Sequence, residues 1–532
     1  MSHYPDLHAF IDALDHAGRL VRVTAPVNKD TELMPLVRWQ YRGLPESERR
    51  AFLFENVTDS RGNRYGMPVG VALLGASREV YALALQCAPD EITERWIRAL
   101  DAPVAPVMVA TGPVKDIIEK GPSLAQAGNG LDHIPLAIST PGWDPAPFLA
   151  SPYWVTKDPD TGVRNVGTYR GMIKSPNRVG VLCAPTQHIG IHYRKYRERG
   201  QPMEAAVVLG AQPVIGMVSV AKLNYGVDEY DVAGGLAGEP IRLVKCETVD
   251  LEVPATAEIV LEGVIRTDYL EPEAPFGEFT GHLGRRTLSP VFEIKCITRR
   301  RDAVYQTFIS QLPPSESSVM RSASFEATMY RLVNRQMGIK SVIEVAMNQV
   351  CEHDYIGVRF KAPEQEDVWR ALQAIADMDP TVAKVVIGVD EDIDPRDSDQ
   401  VIWAQGFRVQ PHRDIRVTMI GRRKESILDP SIAPPITDAA VPLREMDGPS
   451  ALLMNATRKW AYTPVSLPRR DFMEHARTMW ENLGLPALRP RQPWYGYNLG
   501  AWEDENEQEA RLAVEGRYYE TGAKLRARGV IG

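Results

Sequence analysis

Between Ala105 and Thr298 the chain loses helical periodicity and is written in short β-type runs. Tyr153-Trp154-Val155, Arg178 to Leu182, Ala206 to Leu209, Ile215 to Val218, Ile241 to Val244, Ala257 to Leu261 and Val291 to Ile294 recur with Gly, Pro and Asn between them. Regular short strands broken in this way predict a barrel or sandwich. The flanks read differently. Leu7 to Gly18 puts Phe10, Ile11 and Leu14 on one side of a short helix stopped by glycine. Strands are expected at Leu20 to Val23, Ala51 to Phe54 and Pro68 to Leu74, and a helix at Pro89 to Leu100. Beyond the β region, Ser315 to Met337 predicts one long helix capped by Ser315 to Ser318. Strands at Ser341 to Ala346, Ile356 to Phe360, Ala383 to Val389 and Ile415 to Ile420 then alternate with helices at Glu364 to Met378 and Ser398 to Phe407. That alternation predicts βαβ units. Glu503 to Leu525 is helical in character and charged, the kind of tail that packs on a partner subunit. The expected fold is mixed α/β (α+β): an N-terminal α/β region (1–104), a central β domain, barrel or sandwich (105–312), a linking helix (313–340), a C-terminal α/β domain (341–490) and a tail (491–532). A chain of 532 residues is too long for one ordinary core.

Composition removes several functional classes. A net charge of -8 argues against nucleic acid or an anionic membrane as the main partner. The cysteines Cys87, Cys183, Cys246, Cys296 and Cys351 form no CxxC pair, which disfavours a thiolate zinc site and a disulfide framework. Scattered thiols fit a reducing, cytoplasmic setting, and Met1 to Asp6 shows no secretory pattern. The most apolar stretch, Ala205 to Ala221, is interrupted by Gln212, Pro213, Gly216 and Ser219, so it reads as buried strands and not as a membrane span.

Four motifs carry chemistry-bearing side chains. Glu273-Ala-Pro-Phe-Gly-Glu278 sets two carboxylates on a Pro/Gly turn around one aromatic ring. Paired carboxylates in unequal environments can supply one ionised group and one proton donor; on spacing alone, a solvated acidic loop is the commoner outcome. Asn165-Val-Gly-Thr-Tyr-Arg170, Gln187-His188-Ile-Gly-Ile-His192 and Asp228-Glu229-Tyr230-Asp231 each have an ordinary explanation too: a surface arginine, structural histidines, a solvated turn. Together they offer an amide oxygen, an imidazole and a carboxylate, a set suited to Mn²⁺ or Mg²⁺ with water or phosphate completing the shell. The chain has no Walker or Rossmann phosphate loop and no G-x-S-x-G elbow.

These motifs, with Leu251 to Gly263, Asp399 to Ala404 and Asn455 to Trp460, resemble the UbiD family of prenylated-FMN-dependent decarboxylases in the right order over nearly the whole chain. The resemblance implies a central split β-barrel that holds the flavin, and a C-terminal region that helps form homodimers, sometimes assembled into hexamers. It implies that Asn165, His188 and Glu229 ligate Mn²⁺ (or Mg²⁺), with K⁺ nearby, against the cofactor phosphate. Residues Asn165, Val166, Gly167, Thr168, Tyr169 and Arg170, with Gln187, would line the cofactor, which a flavin prenyltransferase supplies. Arg170, Glu273 and Glu278 match the family's catalytic trio. Arg170 would hold the substrate carboxylate, Glu273 would fix Arg170, and Glu278, with a raised pKa and water excluded by Pro275 and Phe276, would protonate the carbon that loses CO₂ from a covalent substrate–cofactor adduct. The turn between the two acids would keep their jobs separate.

The tail motif Trp494-Tyr-Gly-Tyr497 followed by Leu499-Gly-Ala-Trp502 is most similar to the branch acting on hydroxybenzoates and fused rings. Pocket candidates lie between Pro434 and Leu453. The alternatives are an acrylic or cinnamic-type acid decarboxylase of the same family, a split-barrel FMN reductase, a catalytically silent assembly partner and a metallohydrolase. A reductase would not require Arg170, Glu273 and Glu278 together. A silent partner would be expected to lose one of them.

Overall fold

The computed structural model describes residues 3–284, 286–378, 382–419 and 450–529. The helix Leu7–His16 is capped by Asp6, whose side chain accepts from the Ala9 amide at 2.9 Å, and buries Leu7, Phe10, Ile11 and Leu14. It leads into a four-stranded sheet ordered Leu20–Val23, Ala51–Phe54, Val69–Val71 and Tyr305–Thr307. The last strand arrives from beyond the central β region, so the chain leaves the N-terminal sheet and later returns to it.

The central region is one nine-stranded sheet. Its order is Arg164–Thr168, Tyr153–Lys157, Met203–Leu209, Ile259–Glu273, Thr287–Arg299, Arg178–Val181, Gly171–Ser175 and Phe148–Leu149, with Ile117–Lys120 added on Thr287–Arg299. Connectivity forces this sheet to curl. Arg164–Thr168 is one edge, Gly171–Ser175 lies beside the other, and only Tyr169 and Arg170 join them. Three Cα steps reach at most about 11 Å, so the two margins must approach each other. Register shifts at Glu262/Gly263 and between Ile265 and Leu270 bend the longest strand and help the curl. The result is the half-barrel that the split-barrel expectation describes, with Arg170 at the seam.

Two sequence expectations fail inside this region. Ile215 to Val218 is not a strand but part of the helix Pro213–Ser219, in which every residue is buried. With no polar face, a short buried helix has the same periodicity as a buried strand; Pro213 at the first helical position was the signal to use. Helices His188–Glu198 and Glu229–Ala237 also interrupt what reads as continuous β texture.

The linking helix Glu316–Tyr330 begins with a capping box between Ser315 and Ser318 and ends in the π-helical turn Arg331–Gln336. It leads to a five-stranded sheet ordered Val342–Asn348, Glu352–Phe360, Val385–Asp390, Ser450–Ala456 and Ile415–Met419. The three inner strands are parallel and the outer two antiparallel. Of the expected pocket segment, 434–449 lies outside the described residues. The tail forms two helices, Asp504–Val514 and Tyr518–Arg526, parted near Gly516 at φ +77, in place of one continuous helix. Among the described residues, no helix is long and apolar enough to cross a membrane.

The N-terminal region, the linking helix and the C-terminal domain meet on one buried carboxylate. Glu326 accepts from Arg396 at 2.6 and 2.7 Å, from Arg78 at 3.2 Å and from the Met347 amide at 3.0 Å. Burial alone would raise its pKa; Arg396 and Arg78 outweigh that and hold it below the ordinary 4.5. A depressed carboxyl stabilises the fold above the unfolded value and loses that contribution as pH falls through the folded value. Glu326→Ala, which strands two guanidiniums, is expected to cost about 3–5 kcal/mol in denaturant unfolding at pH 7. Its deficit against the parent should shrink in acid below pH 4.5. A loss under 1 kcal/mol would remove Glu326 as the keystone.

Candidate active site

Arg170 is fixed from two directions. Its Nε donates to Glu273 Oε1 at 2.5 Å, and its Nη1 pairs with the Glu278 carboxylate. Glu273 is the last residue of the long strand Ile259–Glu273, fully buried, and its Oε2 accepts from Ser289 Oγ at 2.5 Å. The antiparallel neighbour strand therefore orients the carboxylate that orients the arginine. Ser289 was not among the sequence candidates; only the pairing of Glu271 with Ser289 across the two strands brings it within reach. Past Glu273 the chain does turn as its Pro and Gly predict. Phe276 is buried and stacks on Phe148 with ring centroids 4.3 Å apart, which walls one side of the site. From Phe276 the backbone makes a small hairpin: Gly277 bridges Leu283, Gly284 N donates to Phe276 O at 2.7 Å, and Gly281 N donates to Glu278 O at 3.0 Å. The hairpin carries Glu278 back to Arg170, so the two acids meet one guanidinium through different nitrogens, Glu273 at Nε and Glu278 at Nη1.

The second cluster forms where two helices begin. His188 and Glu229 are the first residues of His188–Glu198 and Glu229–Ala237, and His188 Nδ1 lies 3.8 Å from Glu229 Oε1. Asp228 caps its helix through the Tyr230 amide and binds Arg164 Nη2 at 2.6 Å. Gln187 at the other helix start makes no side-chain cap; its Oε1 accepts from the Ala184 amide at 3.3 Å. Asn165, on the edge strand opposite Thr156, accepts from the Tyr169 hydroxyl at 3.3 Å, while its buried Nδ2 has no hydrogen-bond partner among the described residues. Glu229 is 3 % exposed; burial pushes its carboxyl up, against hydrogen bonds from His188 and from the Val166 amide at 2.7 Å. The Glu229 carboxylate and the His188 imidazole meet at two helix N-termini, and the unpartnered Asn165 amide lies on the strand whose Val166 amide bonds Glu229; donors of these kinds fit a divalent cation beside a phosphate.

Of the remaining cofactor candidates, Val166 and Gly167 are buried on the same strand and Thr168 Oγ1 bonds Ser219 Oγ at 2.9 Å. His192 is not brought to the cluster. Its Nδ1 bonds Thr156 Oγ1 at 2.9 Å, and burial pushes it down to about 4, so it stays neutral in the core.

Models of the N-terminal, Rift-related and C-terminal domains of 3-octaprenyl-4-hydroxybenzoate carboxy-lyase match residues 11–100, 109–313 and 318–438. The chain belongs to the UbiD family. UbiD-family members are carboxy-lyases, and this chain is an enzyme of that class. An uncharacterized protein of Archaeoglobus fulgidus is 30% identical over 428 residues, 77% of this chain and 86% of that one. The UbiD-class enzyme HmfF from Pelotomaculum thermopropionicum, solved with prenylated FMN (prFMN), is 28% identical with a TM-score of 0.75, covering 90% of this chain and 100% of that one. The vanillic acid decarboxylase of Sedimentibacter hydroxybenzoicus shares the fold, with a TM-score of 0.74 at 24% identity over 91% of this chain and 100% of that one.

Proposed function

We propose that this UbiD-family carboxy-lyase reversibly decarboxylates an aromatic or heteroaromatic ring acid, hydroxybenzoate-like or fused-ring, with prenylated FMN. The observation that carries the proposal is the part-buried Arg170 held between Glu273 and Glu278. A guanidinium offers a planar fork for the substrate carboxylate, and Glu273, locked by Ser289, keeps that fork aimed. As Arg170 turns from Glu278 to the substrate, Glu278 loses the charge that favours its ionised form. It is then free to carry the proton that replaces CO₂. Phe276 and Phe148 exclude water from the exchange.

Asn165, His188 and Glu229 would hold Mn²⁺ (or Mg²⁺), with K⁺ nearby, and through it the cofactor phosphate. Gln187 and the strand Arg164–Thr168 would run along the flavin toward Arg170. Prenylated FMN, when bound, supplies an electron sink for the pair left behind by CO₂, which an aromatic ring cannot delocalise in its own plane. The HmfF complex supports this cofactor. A flavin prenyltransferase would supply it.

Mass spectrometry of the cofactor purified with the protein, followed by a screen of aromatic acids for CO₂ release and of products for H/D exchange, tests the proposal. Plain FMN as the native cofactor, with reductase activity, would overturn it. Turnover of cinnamic-type acids alone would move the substrate to the acrylic branch.

The partner is a second copy of the chain, as a dimer or a hexamer, working in the cytoplasm. The helices Arg470–Asn482, Asp504–Val514 and Tyr518–Arg526 bury none of their residues within one chain, and Phe472, Met479 and Leu483 are exposed. Light scattering is expected to give a dimer or larger, and removal of residues 464–532 to give monomers. A monomeric full-length chain would count against the assembly.

A further inference from the structure

The residue after Glu278 is gripped by a part of the protein distant in sequence. Glu278 O accepts from Gly281 N at 3.0 Å, which makes Glu278–Gly281 a tight turn with Phe279 as its first central residue. The Arg321 guanidinium lies over the Phe279 ring, 4.7 Å from its centroid. The His353 ring packs on the same phenyl group, with centroids 4.5 Å apart. Arg321 is anchored in turn: Nη2 pairs with Glu352 Oε2 at 2.9 Å and bonds His353 Nδ1 at 3.2 Å. Burial keeps the His353 imidazole below its ordinary value, so its Nδ1 can accept from the arginine. Glu352 is 1 % exposed and adopts φ +50, a conformation uncommon for a residue with a side chain and retained where surrounding contacts over-determine it. Arg321 belongs to the linking helix, and Glu352 and His353 open the strand Glu352–Phe360 of the C-terminal sheet.

We propose that Arg321 is a positioning residue for Glu278: by clamping Phe279 at the tip of the turn, with Glu352 and His353 as its base, it sets where the proton donor stands relative to Arg170. The hairpin's own backbone bonds fix its shape. The approach of its tip to the seam is fixed from outside, by the cation over the ring. The ring face attracts the cation, and this contact holds the tip where it stands. Arg321 touches no reacting atom; it acts through Phe279. This inference rests on the proposed role of Glu278.

The test uses the purified holoenzyme with the aromatic acid that it turns over. Arg321→Met is expected to lower kcat by about 10–100-fold, the effect of displacing a reacting group by about an ångström, with KM and bound cofactor within about twofold of the parent (on the order of RT in free energy). Arg321→Lys, which keeps both the cation over the ring and the pair with Glu352, should restore most of kcat. Phe279→Leu should match Arg321→Met, and the double variant should be no worse than either, since both act along one route. Amide exchange within 276–284 should quicken in Arg321→Met while that of Val69–Val71 does not. An unchanged kcat, multiplying effects of the two substitutions, or a KM effect alone would overturn the clamp. If Arg321→Met does not fold, Phe279→Leu, at a partly exposed ring, decides by the same measurements. If the parent releases no CO₂ from any aromatic acid, the functional proposal fails, and amide exchange still decides whether the clamp exists.

Discussion

Glu278→Gln is expected to leave a folded, cofactor-loaded protein whose turnover has fallen by at least ~10²–10⁴-fold, the contribution typical of a general acid. The substitution is nearly isosteric. Its amide oxygen can still accept from Arg170 Nη1, and Phe276 can still stack on Phe148. What it removes is the ability to give up a proton at the carbon that loses CO₂. Two assays read the same step from both sides: CO₂ release from the acid, and solvent deuterium exchange into the decarboxylated product. Both should fall together. Near-parental exchange in the variant would take the proton away from Glu278 and leave it only a charge partner of Arg170.

Glu229→Ala is expected to purify without flavin, with cofactor affinity down by at least the ~10–100-fold seen when even an outer-shell partner of a metal is lost. Two contacts go with the carboxylate: its 3.8 Å approach to His188, and the acceptor for the Val166 amide. The last of these lies in the strand Arg164–Thr168, so the loss would reach the backbone proposed to line the cofactor as well as the proposed ion site. The ratio of flavin absorbance to protein after gel filtration, with Mn²⁺ in the buffer, measures it. Stoichiometric flavin in the variant would mean that the phosphate is held without this carboxylate.

Much of this arrangement is legible in the sequence because it is local. The strands Tyr153–Lys157, Arg178–Val181 and Met203–Leu209 announce themselves by β-branched and aromatic runs, and the linking helix by its Ser315 cap. The helix His188–Glu198 was missed because its buried set, Ile189, Gly190, His192 and Tyr193, is short and half polar. The spacing of these four still carries the helical period. Pairing of the two acids on one guanidinium was illegible for a different reason. Whether Glu278 faces Arg170 depends on the hairpin from Phe276 to Gly284 and on what holds its tip, and neither is written in the spacing of Glu273 and Glu278. Ser289, Arg321 and His353 likewise carry no local signature. Each gains meaning only from a neighbour on another strand or in another domain.

The seam at Tyr169 and Arg170 has a consequence for how the enzyme comes into being. Arg170 meets Glu273 across 103 residues of chain and Glu278 across 108. Loop closure of that length comes late and slowly, since its entropy must be spent before the contacts repay it. The arginine sits on the short link between the two margins of the sheet, so the charge cluster and the curl of the sheet share two residues. During refolding, secondary structure should therefore return well before activity, and the last slow phase should carry nearly all the regained turnover. In this chain the closing of the half-barrel and the onset of competence are expected to coincide.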